Sequence, residues 1–492
     1  MNAALWPRLK PALPAMVLSA VVLQLLFHTE IAAAVHVWNS STAYGHCWLV
    51  LPIAFFLLYD RRDQAAAVVM APRPMFACLA MPLVLIWLMA DLLGIMEGRQ
   101  LALIGFVEVL LLAALGVRLW TTLSGAFLYL VFLVPFGAFI TPALQGFTAA
   151  FIVHGLDLLG IANHASGNVI EIHEGTFYVA EACAGLRFLV ASIAFGVLYA
   201  LIMFTAPWRR AAFIAMACIV PVIANGLRAL GIVILGHVLG SAQAAATDHI
   251  LYGWLFFALV IAAMAALGMP FRQDAPPPPP PGPWPAPGAG MRAIYAVWPV
   301  LLIAALGPMS GMALTAHAVP APPPSAAFTA APGCTQTITQ TARDLVEQAF
   351  TCGTTRLTGR TLRVPRRADP SRVLALWQTE VEHLLPGADL ETSALKVNGT
   401  HPSFWMLQQD ARSGRVAASV LFIDGKPASG GLHDRIRLAR EMLAADAPSP
   451  LIVSVAVTQA AGDPAHALSD FLAGQANLAD RLENVNSDAP PH

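Results

Sequence analysis

The sequence predicts an all-α polytopic membrane bundle, about eight core transmembrane helices plus one further span, followed by a C-terminal soluble α+β domain. Three observations predict it. Of the 492 residues, 57% are hydrophobic and only 12% charged, with a mean hydropathy of +0.65. Soluble domains carry roughly 25% charged residues, and the shortfall follows because charges cannot be spread through segments that sit in hydrocarbon. Apolar stretches near the ~20 residues that cross a bilayer then recur along the first 313 positions. Beyond residue 313 charges become frequent and apolar runs short.

The spans read in order as 12–28, 44–59, 75–95, 101–117, 123–141, 183–206, 211–236, 250–268 and 292–313, the second being short. Arg8 and Lys10 precede the first run with no small-x-small cleavage site after it, so the run is expected to stay as an anchor. Residues 142–182 are mixed in character and read as a surface segment with one amphipathic helix, around 146–160, at the interface. Lys and Arg placement sets the topology. Arg8, Lys10, Arg61, Arg62, Arg73, Arg118, Arg209, Arg210, Arg272 and Arg292 mark inner loops with the N-terminus inside, and Arg99 is the exception. Four segments follow: a membrane core at 1–270, a Pro-rich cytoplasmic linker at 271–291, a further span at 292–313 and an outer domain at 317–492. The run PPPPPPGPWPAP at 276–287 offers few backbone donors and prefers an extended polyproline form.

In the C-terminal part, 415–423 (RVAASVLFI) and 451–457 (LIVSVAV) read as strands and 431–445 as a helix. Asp424-Gly425-Lys426-Pro427 reads as the turn between them. Cys334 and Cys352 lie in this domain; an oxidising compartment permits a disulfide between them, though two such cysteines can also be free. The six cysteines form no CxxC pair, and the net charge of −1 gives no basic field for nucleic acid. No internal repeat is present.

Three features carry chemistry, and under this topology all lie in the outer half of the membrane. The first is Glu181-Ala182-Cys183-Ala184-Gly185-Leu186-Arg187, in which Cys183 is expected in the first turn of the sixth span. The helix dipole favours a thiolate there, and Arg187, four residues on, adds positive charge on the same face. A cysteine in an apolar helix is otherwise a small core residue. The second is Asn225-Gly226-Leu227-Arg228. Arg228 lies nine residues before His237, about 13 Å below the helix end. At that depth an arginine faces a polar cavity or pairs structurally, for instance with Glu108. Asn225 shares its face, and Pro221 lies just below. The third is Asp248-His249-Ile250-Leu251-Tyr252-Gly253-Trp254, opening the eighth span. Gly253 removes bulk beside His249, and Trp254 fits an interfacial anchor. Alone, His249 reads as an interfacial residue; the coincidence of depth and side with Cys183 and Arg228 sets it apart. A cysteine nucleophile needs a base or cation, an acid for the leaving amine, and donors for an oxyanion.

The run EACAGLR around Cys183, N-x-x-R at Asn225–Arg228 and H-x-x-x-G-W at His249–Trp254 resemble the exosortase/archaeosortase family over about residues 12–268. Ala184 stands where the family motif usually has Ser. The resemblance implies a multispan cysteine protease/transpeptidase of the bacterial inner membrane, with its active site facing the periplasm and no cofactor. Its expected substrates are exported proteins with a C-terminal sorting signal: a Pro-Glu-Pro-like motif, a transmembrane helix and a basic tail. Cys183 is then the nucleophile, Arg228 the essential arginine and His249 the general acid/base, with Arg187, Asn225, Glu181 and Gly253 in support. An amine acceptor or water would release the product. Some family members carry an extracytoplasmic partner domain linked to exopolysaccharide systems, and the tail is similar in placement.

Other classes of function would need other residues. His154, His164, Glu171, His173 and Glu174 cluster in the outer segment, but no HExxH occurs, and Glu171 with His173 on a strand gives only two ligands on one face, so no metal is expected. A transporter would use Arg228 and Glu108 in a polar pathway, without the symmetry transporters tend to show. A lipid-linked glycosyltransferase would use an outward carboxylate, for which Asp91 and Glu97 are the candidates.

Overall fold

A computed structural model describes residues 5–180, 183–240, 249–274, 280, 282–315, 324–331, 333–366, 368–386, 390–397, 403–410, 413–444, 448–460, 462–475 and 478. The chain divides into two compact units, Met1–Met81 with Gln100–Ile303, and Pro82–Arg99 with Ala304–His492.

The longer helices up to residue 315 are α1 (Leu13–Leu26), α2 (His28–Ser40), α3 (Cys47–Asp60), α4 (Ala80–Leu92), α5 (Met96–Leu115), α6 (Val117–Leu128), α7 (Thr141–Leu158), α8 (Leu186–Met203), α9 (Pro207–Leu239), α10 (His249–Gly268) and α11 (Ala289–Thr315). Seven helices among the described residues are long and apolar enough to cross a membrane: Pro7–Leu26, Pro74–Leu92, Met96–Leu115, Ala138–Leu158, Leu186–Met203, Pro207–Leu239 and Ala289–Leu314. Cys47–Asp60, Val117–Leu133 and Leu255–Phe271 are apolar but shorter.

The segment 142–182 differs from its sequence reading. Ala138–Leu158 is long and apolar enough to span, with a mean hydropathy of 1.3 against 1.7 to 2.1 for the other six. Its Gln145, His154 and Asp157 dilute the signal that length would otherwise give. Its inner face packs on α9, where Phe151 lies against Gly226 and Leu230 against Gly155. The rest forms a three-stranded antiparallel sheet of β1 (Asn163–Ser166), β2 (Val169–Ile172) and β3 (Gly175–Tyr178). Ile170, Ile172 and Val179 seat it on Ile152 and Leu156 of α7 and Val233 of α9. The helix α2 was not anticipated, because His28, Glu30, His36 and Asn39 break its apolar run.

The C-terminal part is an antiparallel sheet of β4 (Cys334–Ala342), β5 (Leu345–Cys352), β6 (Thr355–Arg363), β7 (Leu390–Val397), β8 (Ser403–Asp410), β9 (Val416–Ile423), β10 (Lys426–Pro427) and β11 (Leu451–Gln459). The strand order is β4-β5-β6-β11-β9-β8-β7, with β10 paired to β9. Every residue of β9 is buried, because both faces of the sheet are covered. Val416, Ala418, Val420 and Phe422 pack toward Leu468, Phe471 and Leu472 of α14 (Pro464–Ala473). Leu421 and Ile423 pack toward Val373 and Trp377 of α12 (Pro370–Leu384) and Leu438 of α13 (Leu432–Leu443). That alternation is the two-residue period of a strand. Asp424 and Gly425 take positive φ (50° and 69°), the two-residue hairpin turn whose twist matches its strands.

Candidate active site

Cys183 does not sit inside the first turn of a helix. α8 starts at Leu186, and Gly185 precedes it in the left-handed conformation at φ 84°. Cys183 lies in the preceding turn, its N–H donating to Ala180 O at 2.9 Å. Only glycine adopts that φ without strain, and it ends any helix reaching back to the cysteine. Arg187 is therefore not on a shared helical face with Cys183. The thiol is free and half-buried, against the apolar cluster of α7, α9 and the three-stranded sheet.

The turn is held from α9. Asn225 is 2% exposed, and its Nδ2 donates to the Cys183 carbonyl at 2.9 Å and to Thr148 Oγ1 of α7 at 3.3 Å. A side chain on Gly185 would meet Asn225 Cγ at 2.6 Å. One glycine thus serves twice, for its φ and for its lack of bulk. Asn225 Oδ1 is buried and has no hydrogen-bond partner among the described residues.

Arg228 follows three residues later on α9 and is 2% exposed. Its guanidinium lies 5.7 Å from the Phe188 ring centroid, and Arg187 lies 4.7 Å from the same centroid. Phe188 in turn stacks on Phe257 of α10 at 4.7 Å. Cations within about 6 Å of a ring face are attracted by its quadrupole, more so when desolvated. Gly253 of α10 abuts Arg228: an added Cβ would lie 3.0 Å from Nη2 and 3.3 Å from Nε. The space Gly253 leaves is taken by Arg228, a use the sequence reading had assigned to His249.

His249 opens α10 one turn before Gly253; its side chain, with that of Trp254, lies outside the described residues, as does Glu181. The sequence-named Cys183, Arg187, Asn225, Arg228 and Gly253 thus belong to one neighbourhood built by α8, α9 and α10. Gly185, Phe188 and Thr148 were missed. The first two stand within or beside the AGLR run and were open to notice; Thr148 carried no signal.

Glu108 does not join this group. Its Oε2 accepts from Trp120 Nε1 at 3.0 Å across the α5–α6 hairpin, and no ion pair links it to Arg228. In the three-stranded sheet His164 stands opposite Glu171 across β1 and β2, and His173 and Glu174 lie in the turn after β2 rather than on the strand. Glu174 pairs with His237 Nδ1 at 2.9 Å, and the imidazole beside it holds the carboxyl below the usual range. Among the described residues no three His, Cys, Asp or Glu side chains converge as metal ligands.

No curated protein and no solved structure matches the chain. One sequence family does: Transmembrane exosortase (Exosortase_EpsH), over residues 38–266. That stretch contains Cys183, Asn225, Arg228 and Gly253 together with the helices that set them side by side, and over it this chain is similar to the transmembrane exosortase family.

Proposed function

We propose that the chain is a cysteine-type peptidase and transpeptidase that processes C-terminal sorting signals of exported proteins at the membrane. The observation that carries this reading is the bond from Asn225 to the Cys183 carbonyl. It couples the cysteine turn to the helix bearing Arg228, so two motifs distant in sequence act as one unit. The similarity of residues 38–266 to transmembrane exosortases supports a membrane protein-sorting role.

In this reading Cys183 Sγ attacks the backbone carbonyl at the signal, and a C–S bond forms as the carbonyl oxygen takes negative charge. Arg228, fixed by Gly253 and Phe188, supplies donors to that oxyanion. The C–N bond then breaks, and the departing amine takes a proton from His249, leaving an acyl thioester. An acceptor amine, or water, attacks the thioester, gives its proton to His249 and releases the sulfur. Arg187 is a secondary electrostatic contributor through its place beside Phe188, and Asn225 positions the turn. The substrates are exported proteins carrying a Pro-Glu-Pro-like motif, a transmembrane helix and a basic tail. Residues 1–270 form the catalytic core in the bacterial inner membrane, facing the periplasm. Residues 271–291 are its linker, 292–313 a further span and 317–492 a periplasmic domain, consistent with service to an exopolysaccharide system.

The test is a tagged sorting-signal substrate co-expressed with wild type, Cys183→Ala or Arg228→Gln. Loss of the shortened product in both variants, with each protein still inserted, is the expected result. Unchanged cleavage in Cys183→Ala removes the mechanism.

A further inference from the structure

The helix α13 of the C-terminal domain presents an apolar stripe that its own domain does not cover. Asp434, Leu438, Ala439 and Met442 are buried, while Leu432, Ile436 and Leu443 are 59%, 43% and 57% exposed. Positions i, i+4 and i+11 fall on one face of an α-helix. In a water-facing domain three large aliphatic side chains in a row are unfavourable unless something apolar lies against them.

The position of α13 says what that is. Arg435 Nη1 donates to Leu93 O at 3.1 Å and to Gly94 O at 2.6 Å. These carbonyls immediately follow Leu92, the last residue of a helix apolar enough to span, and a cation is favoured at such an end. Ala439 and Met442 pack on Leu92, with Leu93 and Leu314 beside them. Leu314 ends a second such helix. α13 therefore lies across the ends of two spans, at the level where hydrocarbon gives way to headgroups. Between them runs a groove of about 500 Å³, lined by Leu85 and Met89 of α4, Ala313 and Leu314 of α11, and Met442 and Leu443 of α13. Leu85 and Met89 are 64% and 55% exposed on a helix apolar enough to span, so the groove opens onto an apolar helix face. Arg440, exposed and one turn on from Ile436, flanks the stripe with a long cationic side chain that reaches a phosphate while its stem stays apolar.

We propose that α13 is an interfacial helix that binds membrane phospholipid: Leu432, Ile436 and Leu443 enter the acyl boundary, an acyl chain fills the groove, and Arg440 meets the headgroup phosphate. An amphipathic helix of this kind lies in the plane of the interface, its apolar face ~5–10 Å deep. The site is independent of the chemistry at Cys183.

The test uses the full chain in nanodiscs of phosphatidylcholine and phosphatidylglycerol. A photo-crosslinking p-benzoylphenylalanine replaces Ile436, Leu443 or, as a control, the exposed His466 of α14. After irradiation, adducts of phospholipid mass are expected at 436 and 443, at least tenfold above 466. Equal yields at all three sites, or crosslinks at 436 and 443 only to protein, overturn the proposal; a crosslink to a second copy would instead identify an interface between chains. As a second measurement, Leu432→Asp with Ile436→Asp is expected to speed amide exchange in α13 at least tenfold in nanodiscs while β9 and β11 stay protected. Unchanged exchange in α13 counts against lipid contact.

Discussion

Cys183 lies free and half-buried in a turn ahead of a helix, whereas Cys334 and Cys352 face each other across β4 and β5 and are joined, their Cα atoms 4.3 Å apart. The pair needs nothing beyond strand register: directly opposite residues in an antiparallel ladder stand at about the spacing a disulfide requires. Cys183 owes its place to a neighbour on another helix, through the Asn225 bond and the bulk Gly185 lacks. Backbone geometry consumes one kind of thiol and side-chain geometry keeps the other available. The first stabilises a domain; the second is the proposed nucleophile.

Four experiments break or sharpen that contrast. The largest expected effect is at the free thiol. Cys183→Ser should lower turnover of a sorting-signal substrate by on the order of 10⁴-fold or more, the scale on which losing a nucleophile acts. Removing the disulfide by Cys334→Ser with Cys352→Ser should leave that turnover within twofold, and a comparable loss would show that the two cysteine regions are not separate.

Next in size, the same double exchange should destabilise the C-terminal domain by about 3 kcal/mol, read by denaturant unfolding. Closing a loop of this length constrains the unfolded chain by about that much. An unchanged midpoint would mean that the sheet alone holds the two strands.

Gly185→Ala follows. A Cβ there occupies a left-handed backbone position and meets Asn225 at 2.6 Å, so about 1–3 kcal/mol of strain falls on the cysteine turn. Turnover should drop by about 10-fold or more while the protein remains inserted. Gly253→Ala should cost less, because its Cβ meets only a side-chain end, at 3.0 Å, and its backbone is not in the left-handed region. If Gly185→Ala is as active as wild type, the Asn225 contact does not position Cys183.

The smallest effects are those of pH, and they differ in sign between the two regions. In the C-terminal domain burial, with Asp424 nearby, pushes the Glu441 carboxyl up to about 8. Its folded form holds a proton that the unfolded chain has lost above about pH 4.3, so stability falls as pH rises from there toward 8. Glu441→Gln should flatten that slope in pH-resolved unfolding. Glu174 is shifted the other way by His237, so its contribution is present above the ordinary carboxylate range and is lost as pH falls through its depressed value. Protection of the β2 and β3 amides relative to their intrinsic exchange rates should fall at low pH and be insensitive to pH in Glu174→Gln.

What could be read from the sequence was local or periodic. The turn at Asp424–Gly425 was visible because two residues suffice to specify it, and β9, β11 and α13 because their apolar patterns are short and regular. The motif residues Cys183, Asn225, Arg228 and Gly253 were visible as polar or small exceptions in apolar runs. The start of α8 was not, since the apolar run continues through Ala184 and Gly185 and hydropathy carries no information about φ. Nor was the Glu108–Trp120 bond, which depends on how two adjacent helices register, a property of packing rather than of either segment. The strands β1 to β3 have four residues each, too few to show an alternation.

At 33 residues α9 is about 50 Å long, against a hydrocarbon thickness of ~30 Å. The surplus makes it a mast rather than a mere crossing. Its last turn carries His237, to which the β2–β3 turn is moored through Glu174. The little sheet is packed on α7 and α9 together with Cys183, so a thicker or thinner bilayer would shift the waterline along α9 and leave those contacts in place.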